Sequence, residues 1–146
     1  MEIERKFLVN EIPDLIGYES SKIVQGYISF SPEVRIRKRD DKYYLTKKGE
    51  GFIARTEDET ELDPKEGEEY FKKVISNLIE KTRYVIPLDS YVAELDIYSG
   101  IFSGLVIVEV EFETLEKAKE FVPPLWFGED VSENIEYRNK ILATKY

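Results

Sequence analysis

Charged and apolar residues alternate along most of this chain, in short stretches separated by turn residues. Because successive side chains of a β-strand point to opposite faces, this alternation predicts strands that are charged on one face and largely apolar on the other. The first stretch places Glu2, Glu4 and Lys6 on one face, with Ile3, Arg5 and Phe7 on the opposite face.

The alternation recurs in later stretches of the chain, at residues 23–30, 33–39, 43–48, 53–62, 81–83, 94–96 and 109–113. Residues 31–32 and 49–51 supply turn signals, and residues 40–42 predict a hairpin. The charged faces of these later strands carry Arg35, Arg37, Arg39, Lys48, Arg55, Glu57, Glu59, Glu61, Lys81, Arg83, Glu94, Asp96, Glu109, Glu111 and Glu113. Both signs of charge are therefore present on this face in quantity.

Helical spacing of apolar residues interrupts the alternation in a few places. Residues 65–79 have this spacing after Pro64, whose missing N–H is harmless in the first turn of a helix. Thr114 is a candidate N-cap for a short helix over 115–121, and Ser132 is one for a terminal helix running towards Tyr146.

Together these elements predict an α+β fold that is mainly β. Eight strands with charged inner faces favour an up-and-down, closed antiparallel β-barrel, because closure removes exposed strand edges. The helices would pack outside the barrel and cover its apolar surface. A charged interior inverts the usual soluble barrel and therefore indicates a ligand-binding role.

The composition limits the number of domains and the classes of ligand. A chain of 146 residues has the length of one domain, so we expect residues 1–146 to form a single unit. The net charge of -9 argues against nucleic acid and anionic membranes as partners. Cysteine and histidine are both absent, which removes the commonest zinc ligands and leaves oxygen-bound cations such as Mg²⁺ or Mn²⁺.

The N-terminus predicts a cytoplasmic location. It is charged from Glu2 onwards and contains no apolar run long enough for a secretory signal or a membrane span.

The mixture of charges on the predicted inner face suits a triphosphate. Arginine and lysine side chains can hold phosphate oxygens from several directions, and arginine matches phosphate geometry with two parallel hydrogen bonds. Carboxylates would repel this ligand unless they hold divalent cations that bridge to phosphate oxygens. For any single strand, the solvated outer face of an ordinary barrel is the simpler interpretation. For the whole set of strands, a wet tunnel that binds a ligand explains the pattern better.

Several motifs resemble those of the CYTH superfamily, also called triphosphate tunnel metalloenzymes. The segment Glu2-Ile3-Glu4-Arg5-Lys6 resembles the ExExK motif at the N-terminus of this family. The other matches, in order along essentially the whole chain, are Gln25-Gly26-Tyr27, Arg35-x-Arg37, Glu80-Lys81-Thr82-Arg83-Tyr84, Glu94-Leu95-Asp96, Val108-Glu109-Val110-Glu111-Phe112 and Tyr137-Arg138-Asn139-Lys140. The resemblance implies an eight-stranded closed tunnel.

The resemblance also implies roles for individual residues. The metal ligands implied are Glu2, Glu4, Glu109 and Glu111, with Glu59 and Asp96 as helpers. The residues implied to bind the triphosphate are Lys6, Arg35, Arg37, Lys48, Arg55, Lys81 and Arg83. Those implied to take part in catalysis are Lys48, Lys81 and Glu4.

The reaction that this resemblance favours is the Mg²⁺- or Mn²⁺-dependent hydrolysis of inorganic tripolyphosphate to pyrophosphate and phosphate. The same tunnel also hosts thiamine and nucleoside triphosphatases and class IV adenylate cyclases, which form cyclic AMP from ATP, so these remain alternatives. A non-enzymatic polyphosphate-binding module is a further alternative, although it would need no carboxylate cluster. The expected partner is a small polyphosphate or an organic triphosphate, and a homodimer is left open.

Overall fold

The structure is a computed structural model that describes residues 2–49 and 53–143. Its strands are β1 (Glu2–Val9), β2 (Glu19–Phe30), β3 (Glu33–Arg39), β4 (Lys42–Lys48), β5 (Ala54–Arg55), β6 (Glu57–Leu62), β7 (Ile79–Leu88), β8 (Tyr91–Ser99), β9 (Val106–Glu111) and β10 (Phe127–Asp130). Its α-helices are α1 (Pro64–Phe71), α2 (Leu115–Glu120) and α3 (Asn139–Leu142), and short 3₁₀ helices cover Gly100–Phe102 and Ile135–Tyr137.

The strands form an antiparallel barrel closed by the segment that contains β5 and β6. The order around the barrel is β1, β9, β8, β7, β2, β3, β4 and β6. The chain changes partner at Thr56, because β6 pairs with β4 whereas β5 pairs with β1. β10 lies next to β5 along the same edge of β1. The predicted closed barrel of eight strand positions is thus confirmed.

Apolar side chains pack mainly on the outside of the barrel. The largest cluster includes Phe7, Leu95, Val108 and Val110, and α2 packs on it through Ala118. The interior itself is apolar at one end, where Tyr27, Ile79, Tyr98 and Ile107 meet Leu142 and Ala143 of the C-terminal segment. The charged face is therefore less continuous than the alternation predicts, and the C-terminal segment covers one end of the barrel.

The helix predicted over 65–79 is wrong in its second half. α1 ends at Phe71, and the chain then turns back over β2, where the Ile75 N–H donates to the Tyr27 carbonyl at 2.9 Å. Ile79 pairs with Gln25 in the sheet. The backbone hydrogen bonds of the barrel therefore override the helical spacing of these apolar residues.

The other two predicted helices have different outcomes. The Thr114 side chain accepts a hydrogen bond from the Lys117 N–H and caps α2, as predicted. The prediction that Ser132 caps a long terminal helix is wrong, because its hydroxyl accepts from the Lys6 N–H at 2.9 Å and ties the segment to β1. The predicted terminal helix is reduced to the 3₁₀ turn Ile135–Tyr137 and α3. Its predicted end at 144–146 lies outside the described residues. Residues 50–51 of the turn predicted over 49–51 also lie outside them.

Among the helices that the structure describes, none combines the length and the hydrophobicity needed to cross a membrane.

Close packing at Gly26 gives a first testable prediction. A Cβ atom at this position would lie 2.6 Å from Val74 Cγ1, in the segment that covers β2. Gly26→Ala should therefore lower the free energy of unfolding by about 1–3 kcal/mol, as measured by urea denaturation. The double variant Gly26→Ala/Val74→Ala should recover part of this loss. Equal stability of Gly26→Ala and the natural protein would contradict the packing described.

Candidate active site

The barrel encloses a cavity of about 190 Å³ whose lining is almost entirely charged. The lining residues are Glu2, Glu4, Lys6, Tyr27, Glu33, Arg35, Arg37, Arg39, Lys48, Arg55, Glu57, Glu59, Arg83, Glu94, Glu109 and Arg138. Tyr27 is the only uncharged residue in this lining, within the described part of the chain. Most residues predicted for the site thus come together, whereas Lys81, Asp96 and Glu111 lie outside the lining.

Carboxylates approach one another in two pairs along the cavity wall. Glu4 lies near Glu109, and Glu2 lies near Glu57, so that the ionisation of each carboxylate affects its neighbour. Burial, together with the negative charges of Glu109 and Glu2, raises the pKa of Glu4 to about 8. Burial alone would raise the pKa of Glu109 as well, but Lys6, Arg83 and Lys81 outweigh it and bring that pKa below its usual range.

Several cations of the lining are held by carboxylates. Lys48 Nζ lies 2.8 Å from Glu2 Oε1 and 3.3 Å from Glu57 Oε2. Arg55 donates to Glu33 Oε1 at 2.9 Å and to the Gly49 carbonyl at 3.1 Å. Lys6, paired with Glu109 across β1 and β9, lies 3.7 Å from its carboxylate and donates to the Tyr137 carbonyl at 3.0 Å. These contacts tie β1, β3, β4 and the C-terminal segment together around the cavity.

A buried ion cluster lies beneath the lining. Asp96 is 2.8 Å from Lys81 Nζ and accepts hydrogen bonds from Arg83 Nε and Nη2 at 2.8 and 2.9 Å. Burial lowers the pKa of Lys81 to about 8, although Asp96 opposes the shift. Of these three residues, Arg83 alone lines the cavity in the described structure. Lys81 and Asp96 thus lie behind the lining, where Asp96 holds Arg83 in place.

Arg35 and Arg37 differ from Lys6, Lys48, Arg55 and Arg83, which have carboxylate partners. Among the described residues, no carboxylate lies within 4.0 Å of either guanidinium. The buried Nε of Arg35 has no hydrogen-bond partner in the described part of the chain. Burial and the neighbouring charges of Arg35 and Arg83 lower the pKa of Arg37 to about 10. Two adjacent arginines without a carboxylate partner form a site for an anion.

Other predicted residues lie towards the open end of the cavity. Glu59 lines the cavity and accepts a hydrogen bond from the Thr46 hydroxyl at 3.2 Å. Glu111 is exposed next to Glu4, which is its partner across the sheet, and burial together with Glu2 and Glu94 raises its pKa. Glu61 and Glu113 are exposed, so they are only peripheral to the site.

Six lining residues were absent from the predicted site, namely Tyr27, Glu33, Arg39, Glu57, Glu94 and Arg138. The alternation had already placed Arg39, Glu57 and Glu94 on the charged face, although it gave them no role. Tyr27 and Glu33 follow the alternation, since Tyr27 is opposite Arg35 across the sheet and Glu33 lies two residues before it. Extending the alternation to uncharged side chains and to the strand end would have found both. Arg138 reaches the cavity because the C-terminal segment covers one end of the barrel. The alternation does not indicate this position, although Arg138 belongs to the motif Tyr137-Arg138-Asn139-Lys140 that resembles the family.

The acidic part of the lining fits a hard divalent cation. Among the described residues, no group of three or more carboxylates is already arranged as a metal site. The pairs of Glu4 with Glu109 and Glu2 with Glu57, however, bring carboxylate oxygens together, and burial with the neighbouring negative charges raises the pKa of Glu2 and Glu4. Oxygen ligands are those that Mg²⁺ and Mn²⁺ prefer, and a bound cation would relieve the repulsion between the carboxylates of each pair.

Similarity to individual proteins of known activity places the chain in a family, although no family model matches it. An inorganic triphosphatase of Nitrosomonas europaea is 41% identical, and the alignment covers 97% of this chain and 96% of that protein. An inorganic triphosphatase of Acetivibrio thermocellus is 34% identical, with 97% of this chain and 92% of that protein covered.

The fold agrees with these sequence matches. The crystal structure of the inorganic triphosphatase NE1496 is similar with a TM-score of 0.74 and 38% identity, over 98% of this chain and 94% of that chain. The similarity extends along nearly the full length of both proteins and includes the barrel whose charged lining is described above. The chain therefore belongs to the CYTH superfamily of triphosphate tunnel enzymes, together with these inorganic triphosphatases.

Proposed function

We propose that this protein hydrolyses inorganic triphosphate to pyrophosphate and orthophosphate in the presence of Mg²⁺ or Mn²⁺. The observation that carries the proposal is the cavity, which brings carboxylates together beside Arg35 and Arg37, two arginines that have no carboxylate within 4.0 Å in the described part of the chain. The relatives named as inorganic triphosphatases support the same reaction.

The size and lining of the cavity favour an inorganic substrate over a nucleotide. Its volume of about 190 Å³ is below the roughly 300–1,000 Å³ of pockets that enclose drug-sized ligands. Tyr27 is the one described lining residue without a charge, so little apolar surface is present for a nucleobase. A short, highly charged polyanion fits this environment.

The basic residues bind and align the substrate in this proposal. Arg35 and Arg37 hold the phosphate chain, because their guanidinium groups are free of carboxylates among the described residues. The other cations that contact the ligand are Lys6, Lys48, Arg55 and Arg83, with Arg39 and Arg138 also in the lining. Holding the chain in line lowers the entropic part of the barrier, and fixed positive charges stabilise negative charge that develops during transfer.

The acidic residues hold the cation in this proposal. Glu2, Glu4 and Glu109 are its ligands from the lining, with Glu59 and the exposed Glu111 at the open end. When bound, the cation neutralises phosphate charge and lowers the pKa of coordinated water. Asp96 acts indirectly, because Lys81 and Arg83 already occupy its carboxylate.

Lys48 and Glu4 contact the reacting atoms in this scheme, whereas Lys81 supports them. Lys48 Nζ contacts Glu2 and Glu57 and lines the cavity, where it can also donate to a phosphate oxygen. Lys81 is fully buried and keeps Asp96 and Arg83 in place beneath the lining. A buried positive charge below the cavity also raises its affinity for anions.

A panel of substrates tests the proposed reaction. Inorganic triphosphate, thiamine triphosphate and ATP would each be incubated with the protein and Mg²⁺, and orthophosphate and cyclic AMP would be quantified. We expect orthophosphate from inorganic triphosphate with the highest kcat/KM, and no cyclic AMP from ATP. Cyclic AMP as the main product would contradict hydrolysis, and a higher kcat/KM for an organic triphosphate would contradict the substrate assignment.

A further inference from the structure

Gln25 is a buried amide directly behind the cavity lining. It lies on β2 with no exposed surface, and it faces inwards because it is two residues from Tyr27, which lines the cavity. Its carbonyl Oε1 accepts a hydrogen bond from Arg37 Nε at 3.3 Å. Because an arginine Nε can only donate, this contact fixes the orientation of the amide.

Stability alone does not explain an amide at this position. The Nε2 of Gln25 has no hydrogen-bond partner among the described residues. Ile23 and Ile79, the neighbours of Gln25 along β2 and across to β7, are apolar and fully buried. A buried amide with one long hydrogen bond is less favourable than an apolar side chain of similar volume. The amide must therefore serve something other than packing.

The amide gives Arg37 a partner that carries no charge. Arg55 and Arg83 are oriented by the carboxylates of Glu33 and Asp96, which cancel much of their charge. Arg37 instead has the neutral Gln25 as its cross-strand neighbour and hydrogen-bond acceptor. The charged groups that act on Arg37 are Arg35 on the same strand and, from the other strands, Arg83, Glu59 and Asp96.

We propose that Gln25 is a positioning residue that orients the Arg37 guanidinium towards the cavity and leaves its charge available to the polyanionic substrate. The inference rests on the proposed function, and it adds a residue that determines how strongly the site attracts an anion. A carboxylate in the same place would orient Arg37 equally well but would compete with the substrate for its charge.

Two substitutions separate orientation from charge. Gln25→Glu keeps the acceptor and adds a negative charge, whereas Gln25→Met keeps the approximate volume and removes the acceptor. Binding of inorganic triphosphate to each protein would be measured by calorimetry in EDTA, and KM and kcat would be measured with Mg²⁺. We expect Gln25→Glu to raise Kd and KM by about 10-fold or more, with a smaller effect on kcat. Gln25→Met should raise both constants less and should keep or raise Tm.

A double-mutant cycle with Arg37→Ala shows whether Gln25 acts through Arg37. In the Arg37→Ala background, Gln25→Glu should no longer change Kd by more than about twofold. An equal rise of Kd in both backgrounds, or no rise in either, would overturn the inference. If Gln25→Glu does not fold, Gln25→Met replaces it in the cycle, and it too should change Kd by no more than about twofold in the Arg37→Ala background. A natural protein that neither binds nor hydrolyses triphosphate would instead overturn the proposed function, and the inference would fall with it.

Discussion

Replacing Glu4 with glutamine should reduce kcat by about 100-fold or more while leaving the protein folded. Glu4 lies on the acidic wall beside Glu109, where the proposed cation is bound, and glutamine keeps its shape but removes a charged ligand. The rise in Tm that Mg²⁺ or Mn²⁺ causes in the natural protein should also be lost. Steady-state kinetics and thermal unfolding with and without the cation measure these effects.

The stability of Glu4→Gln should depend less on pH than that of the natural protein. Without metal, the pKa of Glu4 rises from its ordinary 4.5 to about 8 on folding. Its protonated form therefore contributes stability that is complete below pH 4.5 and is lost as the pH rises through 8. In EDTA, the Tm of Glu4→Gln should thus increase relative to the natural protein between these values.

A matched control is available on the outside of the barrel. Glu129 is exposed on β10, so Glu129→Gln should leave kcat and the metal effect on Tm unchanged. Full metal-dependent activity of Glu4→Gln, or its failure to fold, would contradict the role given to Glu4.

Replacing Arg37 with alanine should raise KM by about 10- to 100-fold and lower kcat less. The reason is that Arg37 holds the phosphate chain in the ground state and in the transition state alike. The described residues place no carboxylate within 4.0 Å of Arg37, so the substitution leaves no buried carboxylate without its partner. It does remove the hydrogen bond that Arg37 Nε donates to the buried Gln25 Oε1, so Tm should fall slightly while the protein stays folded. Kinetics over a range of triphosphate concentrations measure the effect.

The control for Arg37→Ala is Lys47→Ala. Lys47 is exposed on β4, on the opposite face of the sheet from the cavity-lining Lys48. It should leave KM unchanged, because its charge does not contact the ligand. A similar rise of KM in both variants would indicate a general effect of net charge rather than a contact made by Arg37.

The alternation of charged and apolar residues was sufficient to predict the barrel. A repeat of two residues determines which side chains share a face, and the closed sheet keeps Glu2, Glu4 and Lys6 on the inner one. Helical spacing was less reliable, because Ile79 fits the pattern of α1 but pairs with Gln25 in the barrel. Long-range hydrogen bonds between strands therefore determined the structure at Ile79.

Depth within the barrel could not be predicted from the same pattern. Glu109 and Glu111 are equivalent in the sequence, yet Glu109 lines the cavity and Glu111 is exposed. Lys81 and Arg83 also share one face of the same predicted strand, yet of these two residues Arg83 lines the cavity and Lys81 does not. The tilt of strands and the side chains opposite each position determine depth, and both are properties of the assembled barrel.

The most direct test of the central claim is a ³¹P NMR time course of inorganic triphosphate with the purified protein after chelation of divalent cations. We expect no change until Mg²⁺ or Mn²⁺ is added in excess of the chelator, followed by conversion to pyrophosphate and orthophosphate. Undiminished turnover in the chelator, or intact triphosphate with every divalent cation tested, would contradict the central claim.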